Sequence, residues 1–154
     1  MTESGIVTVP GEGPAHARIM LIGQNPGREE VKQGRPFVGR SGKYLTRVLD
    51  RFGIDRCQLY ITPVVKEPTP NNRKPTAAEI ARWTPALLEE IDRIGPRIIV
   101  LMGQVAHDIP RQKGIEYIET CHPAAAMRFP AMREKFEKDI AGLAEKISRY
   151  EYTT

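Results

Sequence analysis

Apolar residues gather in short runs at positions 18–22, 58–62, 97–102 and 115–120, each rich in Ile, Val, Leu or Tyr. Runs of that length, bounded by polar or turn residues, predict strands. Between them the apolar spacing changes to that of a helix. Leu45, Val48, Leu49 and Phe52 fall on one face of a segment that Ser41 can cap and Gly53 can close. Thr76-Ala77-Ala78-Glu79 is a capping box opening a second helix, which carries Ile80, Trp83, Leu87, Ile91 and Ile94 before Gly95-Pro96 stops it. A short helix after Gly103 and a terminal helix over 130–150 complete the alternation. Strands alternating with helices predict an α/β protein, with parallel strands and helices on both faces of the sheet. The remaining irregular stretch, 67–75, is rich in Pro, Asn and Arg and reads as a loop.

Open α/β sheets bind ligands beyond the carboxyl ends of their strands, where the βα loops gather and helix N-termini point outward. Gly23-Gln24-Asn25-Pro26-Gly27 follows the first run, Pro63 to Lys66 the second, Gly103-Gln104 the third and Cys121-His122-Pro123 the fourth. These loops are therefore expected to converge on one crevice.

A length of 154 residues with 40% hydrophobic content suits one domain over 1–154, large enough to bury a layered core. The formal charge of +4 and the pI of about 9.2 favour a polyanionic partner. Cys57 and Cys121 stand far apart and outside any CxxC pair, so they supply neither a disulfide framework nor a four-thiolate metal site. No metal or other cofactor is expected. The stretch 1–17 is polar, and no run approaches the roughly 18 apolar residues of a membrane span. A cytoplasmic protein without a membrane partner is the expectation.

Several residues in the converging loops carry chemistry. Asn25 brings an amide to a strand end, where its donor and acceptor can hold a water or a carbonyl, although the same loop also suits a plain Gly/Pro turn. The segment from Gly34 to Lys43 is glycine-rich and basic. It fails as a Walker loop, because Phe37 stands where the first glycine is required and Tyr44 where a hydroxyl residue would hold magnesium. Phe37 has two readings. It is a flat stacking surface for a base, with Arg40, Lys43 and the helix N-terminus at Ser41 near phosphates, or it is a buried core residue. His122 is a structural histidine or, at a crevice-facing strand end, an N–H donor to negative charge on a leaving group. His16 and His107 have no comparable setting. Arg73 and Lys74 suit phosphate contacts, and a solvated surface loop explains the same composition.

Taken in order, GQNPG, GRPFVGRSGKYL, YITPVVKEPTPNNRKPTAAE, RIIVLMGQVA and CHPAAAMRFP resemble the motif series of the uracil-DNA glycosylase superfamily, its family-four branch above all. The resemblance spans roughly residues 18–130. It implies a three-layer α/β/α sandwich with a central four-stranded parallel sheet. It also implies a monofunctional enzyme of base excision repair that flips uracil or a related deaminated base out of DNA and hydrolyses its N-glycosidic bond. Asn25 then falls at the water-positioning amide, with Gln24 beside it where the family-four branch is acidic. Gly23, Phe37 and Pro63 fall at base-binding positions, Phe37 as the stacking aromatic. His122 falls at the histidine that hydrogen-bonds O2 of the departing base. Ala124 to Arg128, including Met127, fall at a loop that wedges into the duplex, with Arg40, Ser41, Lys43, Arg73 and Lys74 expected against DNA nearby. Action as a monomer fits the size.

Several departures set the chain apart from that branch. Its iron–sulfur cluster is held by four cysteines, whereas the aligned positions here hold Glu67 and Trp83 and the N-terminal pair is missing, so no cluster is expected. Pro63 replaces an asparagine that reads the uracil edge, and offers neither a side-chain amide nor a backbone N–H. The favoured base is open on this reading. Gln24-Asn25 lacks the acidic catalyst, so water is positioned more than deprotonated. The basic-histidine insertion of the covalently trapping branch is absent after Lys74, which argues against a covalent adduct. Two alternatives stand beside a uracil enzyme: a glycosylase for a different modified base, and a non-catalytic nucleic-acid-binding homologue. Gly11-Glu12-Gly13-Pro14 also mimics the first motif, but no strand precedes it.

Overall fold

The computed structural model describes residues 7–153, with side chains as far as 150. Positions 1–6 of the polar N-terminal stretch, and Thr154, lie outside it. The elements run β1 (Ile19–Gly23), α1 (Arg28–Gln33), α2 (Arg40–Arg51), β2 (Tyr60–Pro63), α3 (Ala77–Ile94), β3 (Ile98–Met102), α4 (Gln104–His107), β4 (Glu116–Thr120), α5 (Pro123–Arg128) and α6 (Pro130–Thr153). Turns of 3-10 helix lie at Arg56–Gln58 and Pro70–Asn72. All strand pairings are parallel, in the order β2-β1-β3-β4. The chain steps from β1 outward to β2, then crosses to β3 on the other side. That reversal opens a crevice at the carboxyl ends of β1 and β3.

Successive side chains of a strand face opposite layers, and β1 divides accordingly. Ile19 and Leu21 pack with Leu45, Val48 and Leu49 of α2 and with Phe136, Ile140 and Leu143 of α6. Met20 and Ile22 pack with Leu87, Ile91 and Ile94 of α3 and with Val105 and Ala106 of α4. These two clusters make the expected three-layer α/β/α sandwich. Both faces of β1 and β3 are buried, which is why their sequences are continuous apolar runs and not alternating ones. No helix among the described residues is long and apolar enough to cross a membrane.

The predicted elements hold, with boundary shifts of one to three residues and two additions. Gln58 belongs to the 3-10 turn before β2 and not to the strand. The helix expected behind a Ser41 cap is α2, whose cap is Gly39, because the Glu30 carboxylate accepts the Gly39 N–H at 2.6 Å. α3 starts where its capping box places it, with Thr76 Oγ1 accepting from Glu79 N at 3.2 Å and the Glu79 carboxylate accepting from Thr76 N at 2.8 Å. It ends at Gly95, in the left-handed region at φ 65°. The additions are the short helices α1 and α5. The segment 124–128, expected as a loop, is most of α5. His122 caps it by accepting the Ala124 N–H at Nδ1 (3.0 Å), Pro123 stands at its first position, and the three alanines that follow favour helix.

Candidate active site

Loops at the carboxyl ends of β1, β2 and β4 enclose a cavity of about 430 Å³. Its wall brings together Gln24, Asn25, Phe37, Ser41, Pro63, His122 and Ala124 from the sequence-derived set, joined by Val9, Glu30, Asn72 and Ala125. The loop after β3 stays behind this wall. Gly103 backs the histidine, since a Cβ there would stand 3.2 Å from His122 Cβ.

Asn25 is held in a defined orientation. The Thr69 hydroxyl donates to the Arg73 carbonyl, so its oxygen is left to accept from Asn25 Nδ2 at 3.2 Å. This fixes which end of the amide is nitrogen. Asn25 Oδ1 in turn accepts from Gln24 Nε2 at 3.3 Å. One N–H of the amide and a lone pair of Oδ1 remain for a ligand in the cavity.

Phe37 is buried at the edge of the core, as one of its two sequence readings has it, and it also lines the cavity. Its ring stacks against the His122 ring, with centroids 5.7 Å apart and planes inclined by 30°. Gly23 makes that position possible, since a Cβ there would lie 2.3 Å from Phe37 Cζ. The backbone of Phe37 is left-handed at φ 51°, a conformation that costs a non-glycine residue on the order of 1–3 kcal/mol. Gly42 admits the Phe37 carbonyl, which would otherwise sit 2.0 Å from a Cβ. From the other side the guanidinium of Arg56 donates to that same carbonyl at 2.6 Å.

Burial pushes the His122 imidazole down to about 4, with the Glu30 carboxylate acting weakly in the opposite direction. The ring is therefore neutral at neutral pH. Because Nδ1 accepts from Ala124 N, the ring proton resides on Nε2. Glu30 also organises the backbone. One carboxylate oxygen accepts from Gly27 N at 3.0 Å, and the other accepts from Val38 N and Gly39 N at 2.9 and 2.6 Å. The loop bearing Asn25 is thereby tied to the loop bearing Phe37.

Pro63 lines the cavity, and its carbonyl accepts from Lys66 Nζ at 2.8 Å. Lys66 is buried and ion-paired with Glu90 at 3.0 Å; burial lowers its pKa, against the pull of that carboxylate. Glu90 also accepts from Tyr60 Oη at 2.6 Å and Thr62 Oγ1 at 2.9 Å. This satisfied network, inside α3 and β2, anchors the strand end that carries Pro63.

The remaining sequence-derived residues lie outside the cavity wall. Arg40 and Lys43 are exposed on the first turn of α2, and Lys74 is exposed on the loop before α3. Arg73 is engaged by the Glu79 carboxylate at 2.7 Å, which holds Glu79 down at about 2. Met127 packs partly against the core, and the Arg128 guanidinium lies 5.3 Å over the Phe129 ring. The sequence reading missed Glu30, Thr69 and Arg56 outright, and Asn72 as a cavity residue, since it placed Asn72 only in a loop suited to phosphate contacts. A signal existed for two of them. Glu30 stands three residues after a glycine, at capping-box spacing, and adjacent Asn71 and Asn72 favour the left-handed backbone they adopt at φ 55° and 57°. Nothing local marks Thr69 or Arg56.

Among the described residues no group of three or more His, Cys, Asp or Glu is placed to hold a metal ion. Cys57 is exposed and Cys121 is partly buried next to His122. Glu67 pairs with Arg82, and Trp83 packs against the α3 core cluster. This donor set does not fit a cysteine-ligated iron–sulfur cluster.

Residues 10–144 match the model of the Uracil DNA glycosylase superfamily. The chain is 38% identical over 156 aligned residues to a Type-4 uracil-DNA glycosylase of Pyrobaculum aerophilum, covering 86% of this chain and 80% of that protein. It is 39% identical over 161 residues to a Type-4 uracil-DNA glycosylase of Sulfurisphaera tokodaii, covering 89% and 73%. With the Type-4 uracil-DNA glycosylase of Archaeoglobus fulgidus it shares 34% identity over 168 residues, covering 94% and 84%.

Proposed function

We infer the function from one premise: this chain belongs to the uracil DNA glycosylase superfamily. It is a DNA glycosylase, a hydrolase of N-glycosyl bonds acting in uracil repair. We propose that the chemistry takes place in the cavity at the ends of β1, β2 and β4. The observation that supports this most is one cavity holding the Asn25 amide together with a neutral His122 ring stacked on Phe37.

In this mechanism the target nucleotide leaves the duplex and its base lies against Phe37. Unstacking costs a few kcal/mol, which stacking on the new aromatic face offsets in part. Cleavage of the bond from C1′ to the base leaves an oxocarbenium-like sugar and an anionic base. His122 donates its Nε2–H to that anion, a fixed donor meeting charge as it develops. Asn25, held by Thr69 and joined in the cavity by the Asn72 amide, orients the water whose oxygen adds to C1′. The water's proton ends on the released base. The products are a free base and an abasic site.

Pro63 supports a second reading of the substrate. It lines the cavity with no N–H to donate and with its carbonyl already engaged by Lys66, so the wall that would read the edge of uracil offers shape more than hydrogen bonds. A related deaminated or modified base is the alternative substrate. Arg40, Ser41, Lys43, Lys74, Ala124, Met127 and Arg128 form the DNA-facing surface on this proposal, Arg73 acting through Glu79. The protein works in the cytoplasm as a monomer.

The test is single-turnover base release from oligonucleotides carrying uracil, hypoxanthine, xanthine, 5-hydroxymethyluracil or a thymine mispair, with alkali revealing abasic sites. Asn25→Ala and His122→Ala should each slow release by about 100-fold or more while binding to abasic DNA survives. Release from none of these substrates would leave only the non-catalytic binding module.

A further inference from the structure

The geometry points to Arg56 as the positioning residue of the base-stacking wall: its guanidinium sets the Phe37 ring against His122, and so sets how well an extruded base docks. The inference rests on the reading of Phe37 as that wall. Arg56 is partly buried in the 3-10 turn before β2 and does not itself line the cavity. Its Nη1 donates to the Phe37 carbonyl and its Nη2 to the Pro36 carbonyl, each at 2.6 Å. Nη1 also reaches Thr46 Oγ1 of α2 at 2.9 Å, and that hydroxyl donates to the Gly42 carbonyl at 3.0 Å.

This grip suits the backbone it holds. Successive carbonyls face opposite ways in extended chain and the same way in helical conformations of either hand. Phe37, at φ 51°, turns its own carbonyl and that of Pro36 to one side, and the planar fork of a guanidinium bridges such a pair where an ammonium would bond only one. Burial disfavours the charge on Arg56, yet Arg56 makes its hydrogen bonds to two carbonyls and a hydroxyl and to no carboxylate. A partly buried cation committed to a strained loop, with no part in bond cleavage, is explained by the ring that loop carries. The ring has little slack, with Gly23 beneath it and Gly42 against its carbonyl. Release of the carbonyls lets Phe37 relax towards extended backbone and carries the ring off His122.

The test pairs Arg56→Met and Arg56→Lys with Phe37→Leu. Arg56→Met should weaken single-turnover release about 10- to 100-fold, mainly by raising the enzyme concentration needed for half-saturation, and Arg56→Lys should fall between it and wild type. In the Phe37→Leu background the same change should cost less than about threefold, because two residues acting through one ring are not additive. Equal losses in both backgrounds would overturn the proposal. The ring protons of His122, read by NMR in the free protein, give a measure that needs no activity. In Arg56→Met they should move towards their positions in Phe37→Leu, and unchanged positions would overturn the inference. If wild type releases no base, the enzyme reading fails and the NMR comparison still decides the role of Arg56. If Arg56→Met does not fold, Arg56→Lys carries both comparisons.

Discussion

Burial holds the His122 imidazole at about 4, well below its ordinary 6.5, and this couples the site to folding. As pH falls, the unfolded chain protonates this residue near 6.5 while the folded chain resists to about 4. The stabilisation is complete above the unfolded value and is lost as pH drops through that window, an effect on the order of 3 kcal/mol. Thermal unfolding of wild type should therefore fall more steeply between pH 7 and about 4.5 than that of His122→Asn, in which the carboxylates titrate alike. Parallel curves would refute it. Base release should stay level over about pH 5 to 7.5, because a neutral ring is the donor; acceleration in acid would point to an imidazolium instead. The sequence placed Asn25 and His122 at strand ends, each two residues beyond its strand, while the roles expected of them came from the family resemblance. Thr69 was not, because its role exists only once a loop 44 positions away folds back on Asn25.

Among the elements, α1 and α5 escaped the sequence for a physical reason. Six residues span less than two turns, too few for apolar periodicity, and α1 buries none of its side chains. α3 was legible because its ends are marked by chemistry, a reciprocal cap and a left-handed glycine. What α1 contributes is Glu30, whose carboxylate accepts three backbone N–H groups from the loops bearing Asn25 and Phe37. Glu30→Gln preserves size but turns an NH2 towards some of those donors. We expect a loss of about 2–3 kcal/mol in denaturant unfolding, since charge-assisted bonds are replaced by an unsatisfied group. Release should slow at least about tenfold, because a small misplacement of the reacting groups is costly. Full activity with lowered stability would mean that the loops are aligned by something else.

For the molecule as a whole, strand–helix alternation was readable but the order β2-β1-β3-β4 was not, since apolar runs fix which segments are strands and not which of them lie side by side. The order matters because it puts β1 at the centre, with the Asn25 loop between the ends that carry Pro63 and His122. It also bears on how the charge of +4 is used. Arg40 and Lys43 stand exposed on the first turn of α2, next to Ser41 on the cavity wall, placed to meet phosphates flanking an extruded nucleotide. Arg73, equally basic in sequence, is committed to Glu79 at the cap of α3. Each phosphate neutralised by a cation contributes about 0.9 to the slope of log affinity against log salt on duplex DNA. Arg40→Ala with Lys43→Ala should therefore flatten that slope by about 2, measured by anisotropy on an abasic duplex between about 50 and 200 mM salt. Arg73→Ala should leave the slope close to wild type and instead lower the melting temperature slightly through the α3 cap. If Arg73→Ala flattens the slope as much as either α2 substitution alone, the DNA path runs over the loop before α3 and not over the first turn of α2.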